Sequence, residues 1–262
     1  MREQVPASAD ADDDQSGGVV RLLGVAIWNP TYEEFRAWFN EASQDRSQAT
    51  LLGIVNAHTL NLAAKAPQYK SCLMSMDRLI NDGIGVRLGA RMRGQDFNYN
   101  FNGTDLWPRL LAEATPGLRV FLYGSTEVSN AGAAAAILER YPSVEVVGRL
   151  NGYDSSPEQV IAALARADAD ILLVALGQPR QEQFLCQHAR ELRVGLACGI
   201  GALFDFLSGS VPRAPAGWRR LKLEWAYRLL REPRRMFGRY VVGNPLFLAR
   251  AWVWRSKDRP RD

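Results

Sequence analysis

The sequence predicts an α/β protein with a Rossmann-like, mainly parallel sheet and helices on both of its faces. Short apolar runs rich in Val, Ile and Leu alternate with helical patterns of about 10–15 residues, which is typical of βαβ units. The apolar runs are almost continuous, as expected for strands that are covered on both faces. The chain has 262 residues, of which 47% are hydrophobic, so it can bury one sizeable core and also form an appendage.

The predicted elements follow one another in this alternating order. In the first half, strands are predicted at 51–55, 79–80 and 119–123, and helices at 59–72 and 127–141. In the second half, strands are predicted at 144–147, 171–176 and 194–197, and helices at 157–168 and 181–192. Pro157 stands in the first turn of its helix, where the missing N–H does no harm.

Composition divides the chain into three parts. Residues 1–18 are rich in Asp, Ala, Ser and Gly and predict a disordered leader. Residues 19–210 contain the alternating pattern of the Rossmann-like domain, and residues 211–262 predict a basic, amphipathic helical appendage. No run reaches the roughly 18–20 apolar residues of a membrane-spanning helix, so we expect a protein that is soluble or lies on a membrane surface.

The three cysteines, Cys72, Cys186 and Cys198, do not form a recognisable motif. Their spacing fits no zinc site, and their odd number does not fit the disulfide framework of a secreted domain. We therefore expect a reducing compartment.

The appendage is the most basic part of the chain. Residues 213–262 contain 14 Lys and Arg but only 4 Asp and Glu. A predicted helix places Trp218, Leu221, Trp225 and Leu229 on one side with basic residues around them, a pattern that suits the boundary between water and an anionic surface. We therefore expect a membrane surface as partner, with a solvated basic tail as the alternative. Nucleic acid is not expected, because it would not explain the tryptophans.

Polar loops follow the predicted strands, at the edge of a parallel sheet where ligands bind. They contain Asn56, Asp82-Gly83, Gly124-Ser125, Gly177-Gln178-Pro179 and Gly199-Ile200-Gly201. Five such loops at one edge favour a binding cleft over simple connections.

Asp82 is the candidate for acid–base chemistry. A carboxylate on a loop at the mouth of a cleft can accept a proton from a sugar hydroxyl, and Gly83 lets a substrate approach the backbone closely. The alternative is a simple β-turn, which Asp-Gly sequences favour.

Two other loops offer groups for phosphate or sugar. Gly124 and Ser125 lead into a helix whose N-terminus can hold a phosphate, although a single glycine does not complete a dinucleotide-binding motif. Arg180 could meet a phosphate and Gln181 a sugar or base, with an ordinary helix-capping turn as the alternative. The DxD sequence at 168–170 has the form of a metal-binding motif but is expected at the opposite edge of the sheet, so no metal and no cofactor is predicted.

Several segments form a pattern, in order over about residues 19–242. They are Asn56-Ala57, 81–86, 102–106, 175–182 and 199–235, the last of which includes Arg213-Ala-Pro215 and Leu223-Glu224-Trp225. Together these segments resemble the WecG/TagA/CpsF glycosyltransferases, known as glycosyltransferase family 26.

The resemblance implies an inverting, metal-independent enzyme that moves a sugar from a UDP donor to a polyprenyl-diphosphate-linked sugar. It places the reaction at the cytoplasmic face of the cell membrane, with Asp82 as the general base and Gln181 as a substrate contact. It also implies that C-terminal arginines meet the acceptor's diphosphate or the membrane. With the loops above, the candidate substrate-binding residues are Asn56, Asn100, Asn102, Thr104, Gly124, Ser125, Gln178, Arg180, Gln181, Arg213, Arg228, Arg231, Arg234 and Arg235.

Two departures from the family bear on the donor sugar. N-acetylmannosaminyltransferases of the family usually have Thr and Arg where this chain has Ile54 and Asn100. The departures favour the GumM-type exopolysaccharide branch and glucose, with transfer of N-acetylmannosamine to an N-acetylglucosaminyl-diphospho-lipid as the alternative. A function without catalysis is also left open, that of a membrane-associated nucleotide-binding protein. The oligomeric state is left open, a homo-oligomer included.

Overall fold

A six-stranded parallel sheet forms the centre of the computed structural model, which describes residues 18–215, 217–218 and 224–257 except for the side chains of 235 and 255–257. The strands in chain order are a separate antiparallel hairpin of β1 (Val19–Leu22) and β2 (Val25–Trp28), followed by the sheet strands β3 (Thr50–Val55), β4 (Arg78–Asn81), β5 (Leu118–Gly124), β6 (Val144–Leu150), β7 (Ile171–Ala175) and β8 (Leu196–Gly199). Their spatial order in the sheet is β4-β3-β8-β7-β5-β6. The strand order therefore reverses beside β3, which is the place where α/β sheets open a ligand crevice.

Helices cover both faces of this sheet. In chain order they are α1 (Tyr32–Gln44), α2 (Ala57–Lys65), α3 (Pro67–Met74), α4 (Ile84–Arg91), α5 (Gly103–Ala112), α6 (Glu127–Arg140), α7 (Pro157–Ala167), α8 (Arg180–His188), α9 (Leu203–Leu207), α10 (Glu224–Arg231), α11 (Pro233–Met236) and α12 (Gly243–Lys257), with a π-helix at Phe237–Val242. One apolar core lies on each face, because successive strand residues point to opposite sides: Leu172 and Val174 belong to one core, Ile171 and Leu173 to the other.

The predicted fold class is confirmed, and all six predicted strands are present with shifted ends. The helix predicted at 59–72 is wrong in one respect, because it is two helices, α2 and α3, that meet at Ala66 and Pro67. Proline starts α3 because its ring and its missing N–H are tolerated only in the first turn of a helix. The helix predicted at 181–192 begins at Arg180 and ends at His188.

The C-terminal segment packs against the sheet domain. Helix α12 contacts α2 and α4, and its Phe247 and Ala251 are fully buried in the core on that face. A Cβ on Gly89 of α4 would lie 2.8 Å from the Phe247 ring, so glycine allows this close approach. Asn61 of α2 donates to the Gly243 carbonyl at 2.7 Å. The proposed boundary at residue 210 therefore separates two segments that share a core. The predicted leader lies outside the described residues except for Gly18.

The cysteines differ from the sequence-based expectation. Cys72 of α3 and Cys186 of α8 form a disulfide, with their Cα atoms 5.9 Å apart, and Cys198 is free and buried. The two bonded residues are 114 positions apart in the chain, and only the packing of α3 against α8 brings them together.

The DxD sequence is part of an ion-pair cluster at the edge of the sheet opposite the cleft. Arg46 contacts both Asp168 and Asp170, and Arg119 contacts Asp168. The backbone N–H of Arg119 also donates to the Asp170 carboxylate at 2.8 Å. In the part of the chain that is described, no group of three or more His, Cys, Asp or Glu side chains is placed to hold a metal ion.

Candidate active site

A cleft of about 750 Å³ opens at the carboxyl edge of the sheet. The five polar loops singled out in the sequence all reach it, through Asn56, Asp82, Ser125, Gln178 and Gly201 among others. The C-terminal segment forms the remaining wall with Glu224, Trp225, Arg228, Arg239, Tyr240 and Asn244. The volume falls in the range of about 300–1,000 Å³ that is usual for small-molecule sites.

Asp82 lies in this cleft directly after β4. Its backbone N–H donates to the Val55 carbonyl at 2.8 Å. This bond continues the pairing of β3 and β4 by one residue and fixes the position of the Asp82 backbone. Burial raises the pKa of the Asp82 carboxyl to about 6, and the charge of Glu224 also raises it. The positive charges of Arg239 and Arg228 lower the pKa but do not outweigh burial. Such a carboxyl is mostly ionised at neutral pH but is a stronger base than an exposed aspartate.

Asn56 connects Asp82 to the start of α2. Its side-chain oxygen accepts hydrogen bonds from the backbone N–H groups of His58 at 3.0 Å and Thr59 at 3.1 Å, so Asn56 caps the helix. Asn56 directly follows β3 as Asp82 directly follows β4, one position beyond the register pair Val55 and Asn81, and the Asn56 side chain lowers the pKa of the Asp82 carboxyl. Since the oxygen serves the helix, the amide nitrogen is the atom of Asn56 that can donate to a carboxylate.

Asn100, Asn102 and Thr104 form the wall beside Asp82. The Asn100 side-chain oxygen accepts from the Gly83 N–H at 3.0 Å, where Gly83 has a φ of +86°. Asn102 caps α5 by accepting from the Thr104 N–H at 3.0 Å and hydroxyl at 2.7 Å. All three residues line the cleft, and these bonds hold the loops on which they lie.

Arg213 joins this wall to the C-terminal segment. Its guanidinium donates to the Thr104 carbonyl at 3.2 Å and to the Asp105 carboxylate at 2.7 Å. It also lies 3.6 Å from the Glu224 carboxylate at the start of α10. Arg213 is not among the residues that line the cleft, so its role in this structure is to anchor the chain that covers it.

The Gly124-Ser125 loop differs from a simple phosphate cradle. A Cβ on Gly124 would lie 2.6 Å from the Ala175 backbone, so glycine is required there by packing. The Ser125 N–H donates to the Ala175 carbonyl at 2.8 Å and is therefore occupied. The Ser125 hydroxyl donates to the Asp205 carboxylate at 2.9 Å, and both side chains line the cleft.

Gln178, Arg180 and Gln181 lie in three different environments. Gln178 lines the cleft, follows β7 and precedes a cis peptide bond to Pro179. Gln181 also lines the cleft from a buried position, where its side-chain oxygen accepts from the Gly201 N–H at 3.0 Å and its nitrogen donates to Glu182 at 2.8 Å. The oxygen thus holds the Gly201 loop at the edge of the cleft, while the nitrogen is bonded to the neighbouring Glu182. Arg180 is exposed and does not line the cleft.

The predicted C-terminal arginines are divided by the structure. Arg228 lines the cleft, and its buried Nε has no hydrogen-bond partner among the described residues. Arg231 and Arg234 are exposed outside the cleft, and the Arg235 side chain lies outside the described part. Arg239, which was not predicted, lines the cleft and makes the largest charge contribution to the pKa of Asp82.

A family model for the WecG/TagA/CpsF glycosyl transferases matches residues 20–261. Two similar proteins are the N-acetylglucosaminyldiphosphoundecaprenol N-acetyl-beta-D-mannosaminyltransferases of Bacillus subtilis strain 168 and Bacillus spizizenii strain W23. Each is 33% identical to this chain over 192 residues, which cover 73% of this chain and 75% of the relative. This chain belongs to the WecG/TagA/CpsF glycosyltransferase family. The family resemblance seen in the sequence motifs is confirmed.

Within this family fold, several cleft residues were missed by sequence reasoning. They are His58, Tyr153, Asp205, Glu224, Arg239, Tyr240 and Asn244. Burial, together with the charges of Arg239 and Lys65, lowers the pKa of His58 to about 4, so its ring is neutral at physiological pH. Glu224 and Asp205 lie inside the 199–235 segment that resembles the family, so the resemblance could have identified them as site residues. Arg239 stood in no motif.

The C-terminal segment of this glycosyltransferase also presents apolar side chains to solvent. Those exposed by more than a third are Trp225, Leu230, Phe237, Val241, Val242, Trp252 and Val253. Contiguous patches of such side chains mark interaction sites on proteins, whereas singly scattered ones are ordinary. Trp218 lies 5.9 Å from Tyr227, measured between ring centroids, while the predicted helix residue Leu221 lies outside the described part. Among the described residues, no helix is both long and apolar enough to cross a bilayer.

Proposed function

We propose that this protein is an inverting glycosyltransferase that moves a sugar from a UDP-sugar to a polyprenyl-diphosphate-linked sugar, with Asp82 as general base. The observation that supports the proposal most is the position of Asp82 in a cleft of substrate size. Burial raises the pKa of its carboxyl, and Arg228 and Arg239 line the same cleft. A carboxylate in this position is suited to removing a proton from an acceptor hydroxyl.

The reaction assigns a role to each charged group in the cleft. Asp82 takes the proton of the acceptor hydroxyl as its oxygen attacks the anomeric carbon of the donor from the face opposite the nucleotide. The bond between that carbon and the diphosphate oxygen breaks, and UDP leaves with the electron pair. We propose that Arg228 and Arg239, which line the cleft, stabilise the negative charge that develops on the diphosphate, a task that guanidinium groups perform well. We propose that they do so without a metal ion, which predicts turnover that survives a chelator.

For the donor sugar, we propose N-acetylmannosamine rather than glucose, with an N-acetylglucosaminyl-diphospho-lipid as acceptor. The two relatives named above catalyse this transfer, which favours the alternative over the glucose preferred from the sequence. The residues that suggested glucose also have local tasks: Ile54 packs beside Gly103, and Asn100 holds the Gly83 N–H. The identity of each residue therefore has a structural reason besides any contact with the donor sugar.

The acceptor also suggests where the enzyme works. A polyprenyl chain remains in the bilayer, so the cleft must reach the membrane surface. The exposed apolar side chains of α10, the π-helix and α12 lie on the segment that covers the cleft. We propose peripheral binding at the cytoplasmic face of the cell membrane through this segment.

The proposal is tested by incubating the purified full chain with N-acetylglucosaminyl- and glucosyl-diphospho-polyprenol and a panel of UDP-sugars. We expect transfer of N-acetylmannosamine to the N-acetylglucosaminyl acceptor, with inverted anomeric configuration in the product. Transfer of glucose instead would refute the donor assignment alone. UDP binding without transfer of any sugar would favour the non-catalytic nucleotide-binding alternative and refute the proposed reaction.

A further inference from the structure

The hydroxyl of Thr59 is saturated with hydrogen bonds behind the cleft. Thr59 is fully buried in the first turn of α2. Its oxygen accepts from the Gln178 side-chain nitrogen at 2.8 Å and from the Asn56 backbone N–H at 3.1 Å. With two donors directed at the oxygen, its own proton is left to donate to the Asn56 side-chain oxygen, at 3.2 Å.

This arrangement determines which way the Asn56 amide faces. Three donors converge on its oxygen: the His58 N–H, the Thr59 N–H and the Thr59 hydroxyl. An amide turned by half a rotation would direct its NH₂ group at these donors and its oxygen at the Asp82 carboxylate, which is repulsive at both ends. The observed orientation is therefore strongly favoured, and it leaves the nitrogen as the atom that can donate to Asp82, which follows the neighbouring strand at the same register position.

We propose that Thr59 is a positioning residue for the reaction: its hydroxyl, held by Gln178, fixes the Asn56 amide so that Asn56 donates to and orients Asp82. The inference rests on the proposed function, because it assigns Asp82 as the base. Thr59 itself does not line the cleft and acts only through Asn56.

The charged groups that face Asp82 set the expected pH effect. Arg239 and Arg228 favour its ionised form, Glu224 disfavours it, and the Asn56 side chain favours it. His58 lines the same cleft as a neutral ring. Weakening the Asn56 donor while the other groups remain should raise the pKa of Asp82 and reduce the fraction of correctly oriented base.

The test compares Thr59→Val with Thr59→Ser in the full chain. For Thr59→Val we expect a roughly tenfold lower kcat, an acidic limb of the pH–kcat profile about one pH unit higher, and a nearly unchanged KM. Thr59→Ser keeps the hydroxyl and should behave like the parent. Thr31→Val removes the hydroxyl of another capping box, on α1 and outside the cleft, and should change neither kcat nor the limb.

A double-mutant comparison separates this role from simple helix capping. If Thr59 acts through Asn56, Asn56→Ala/Thr59→Val should have the same kcat and acidic limb as Asn56→Ala. Independent, additive losses would overturn the proposal, as would a Thr59→Val variant with the parent's kcat and pH profile. Thermal melting of every variant shows whether a lower kcat comes from a loss of folded protein.

A second readout does not depend on turnover. The pKa of Asp82, measured by NMR titration of its carboxyl carbon without substrate, should rise in Thr59→Val and not in Thr59→Ser. An unchanged pKa would refute the positioning role even if the enzyme is active. Conversely, a raised pKa together with full activity of Asp82→Asn would refute the proposed base while leaving the hydrogen-bond chain intact.

Discussion

At the scale of single residues, the central feature is a carboxyl group held where burial disfavours its charge. Arg239, Arg228 and the Asn56 side chain oppose this effect, but burial prevails and raises the pKa of Asp82 to about 6. Groups of this kind are often kept at a cost in stability because their reactivity is needed. The cost can be measured separately from activity.

Replacing Asp82 should therefore stabilise the fold at high pH. The folded protein binds more protons than the unfolded chain between the ordinary pKa of 3.8 and about 6, so stability falls as the pH rises through this interval. Above it, the ionised carboxyl costs the fold on the order of 1–3 kcal/mol. We expect Asp82→Asn to raise the free energy of unfolding at about pH 8 by this amount, with little gain at about pH 4. Denaturation at both pH values measures the difference, and a less stable variant at high pH would contradict the account.

At the scale of elements, the short π-helix serves both the cleft and the outer surface. Its Arg239 lines the cleft, while Phe237, Val241 and Val242 are exposed. A π-helix changes the angular spacing of side chains relative to an α-helix, and such turns are frequent at functional sites. Helices α10 and α12 on either side contribute Arg228 and Asn244 to the same cleft.

Arg239 should consequently matter for catalysis although it lies in no recognised motif. We expect Arg239→Ala to lower kcat/KM at least tenfold, because a charge-assisted contact to diphosphate is worth roughly 1.5–3 kcal/mol. Arg140→Ala, at the exposed end of α6, removes the same charge far from the cleft and is the matched control. Steady-state kinetics with the active donor compares them. Equal effects of the two changes would exclude a local role for Arg239.

At the scale of the whole molecule, the C-terminal segment forms one wall of the polar cleft and also carries exposed apolar side chains. This segment is fastened to the sheet domain by buried Phe247 and by Arg213. A membrane bound by the segment would therefore lie at a fixed place relative to the cleft. The geometry suits an acceptor whose lipid remains in the bilayer.

The exposed apolar surface should bind membranes. We expect Val242→Asp to weaken binding to vesicles that contain anionic lipid about tenfold or more, because it replaces a side chain expected to enter the membrane with a charge. Val128→Asp on α6 is the matched control, since Val128 is 75% exposed but belongs to another part of the surface. Vesicle sedimentation measures both variants. Equal weakening by the two changes would argue against a local docking surface.

Local sequence patterns predicted the fold and those cleft residues that follow the strands of the sheet. Asn56 and Asp82 were identified from the sequence because each directly follows a strand of a parallel sheet, where position in the chain determines position in space. Gln181 was expected to contact substrate, and it does line the cleft. Its amide is also bonded to Gly201 and Glu182, and these bonds between distant loops and neighbours could not be read from the sequence. Arg239 could not be predicted because its placement depends on the path of the segment that returns over the sheet.

The most direct test of the central claim is sugar transfer by Asp82→Asn, measured beside its affinity for UDP. If Asp82 removes the acceptor's proton, kcat should fall by about 10²–10⁴ while UDP binds as tightly as to the parent protein. Transfer at the parent's rate would contradict the assignment of Asp82 as the base.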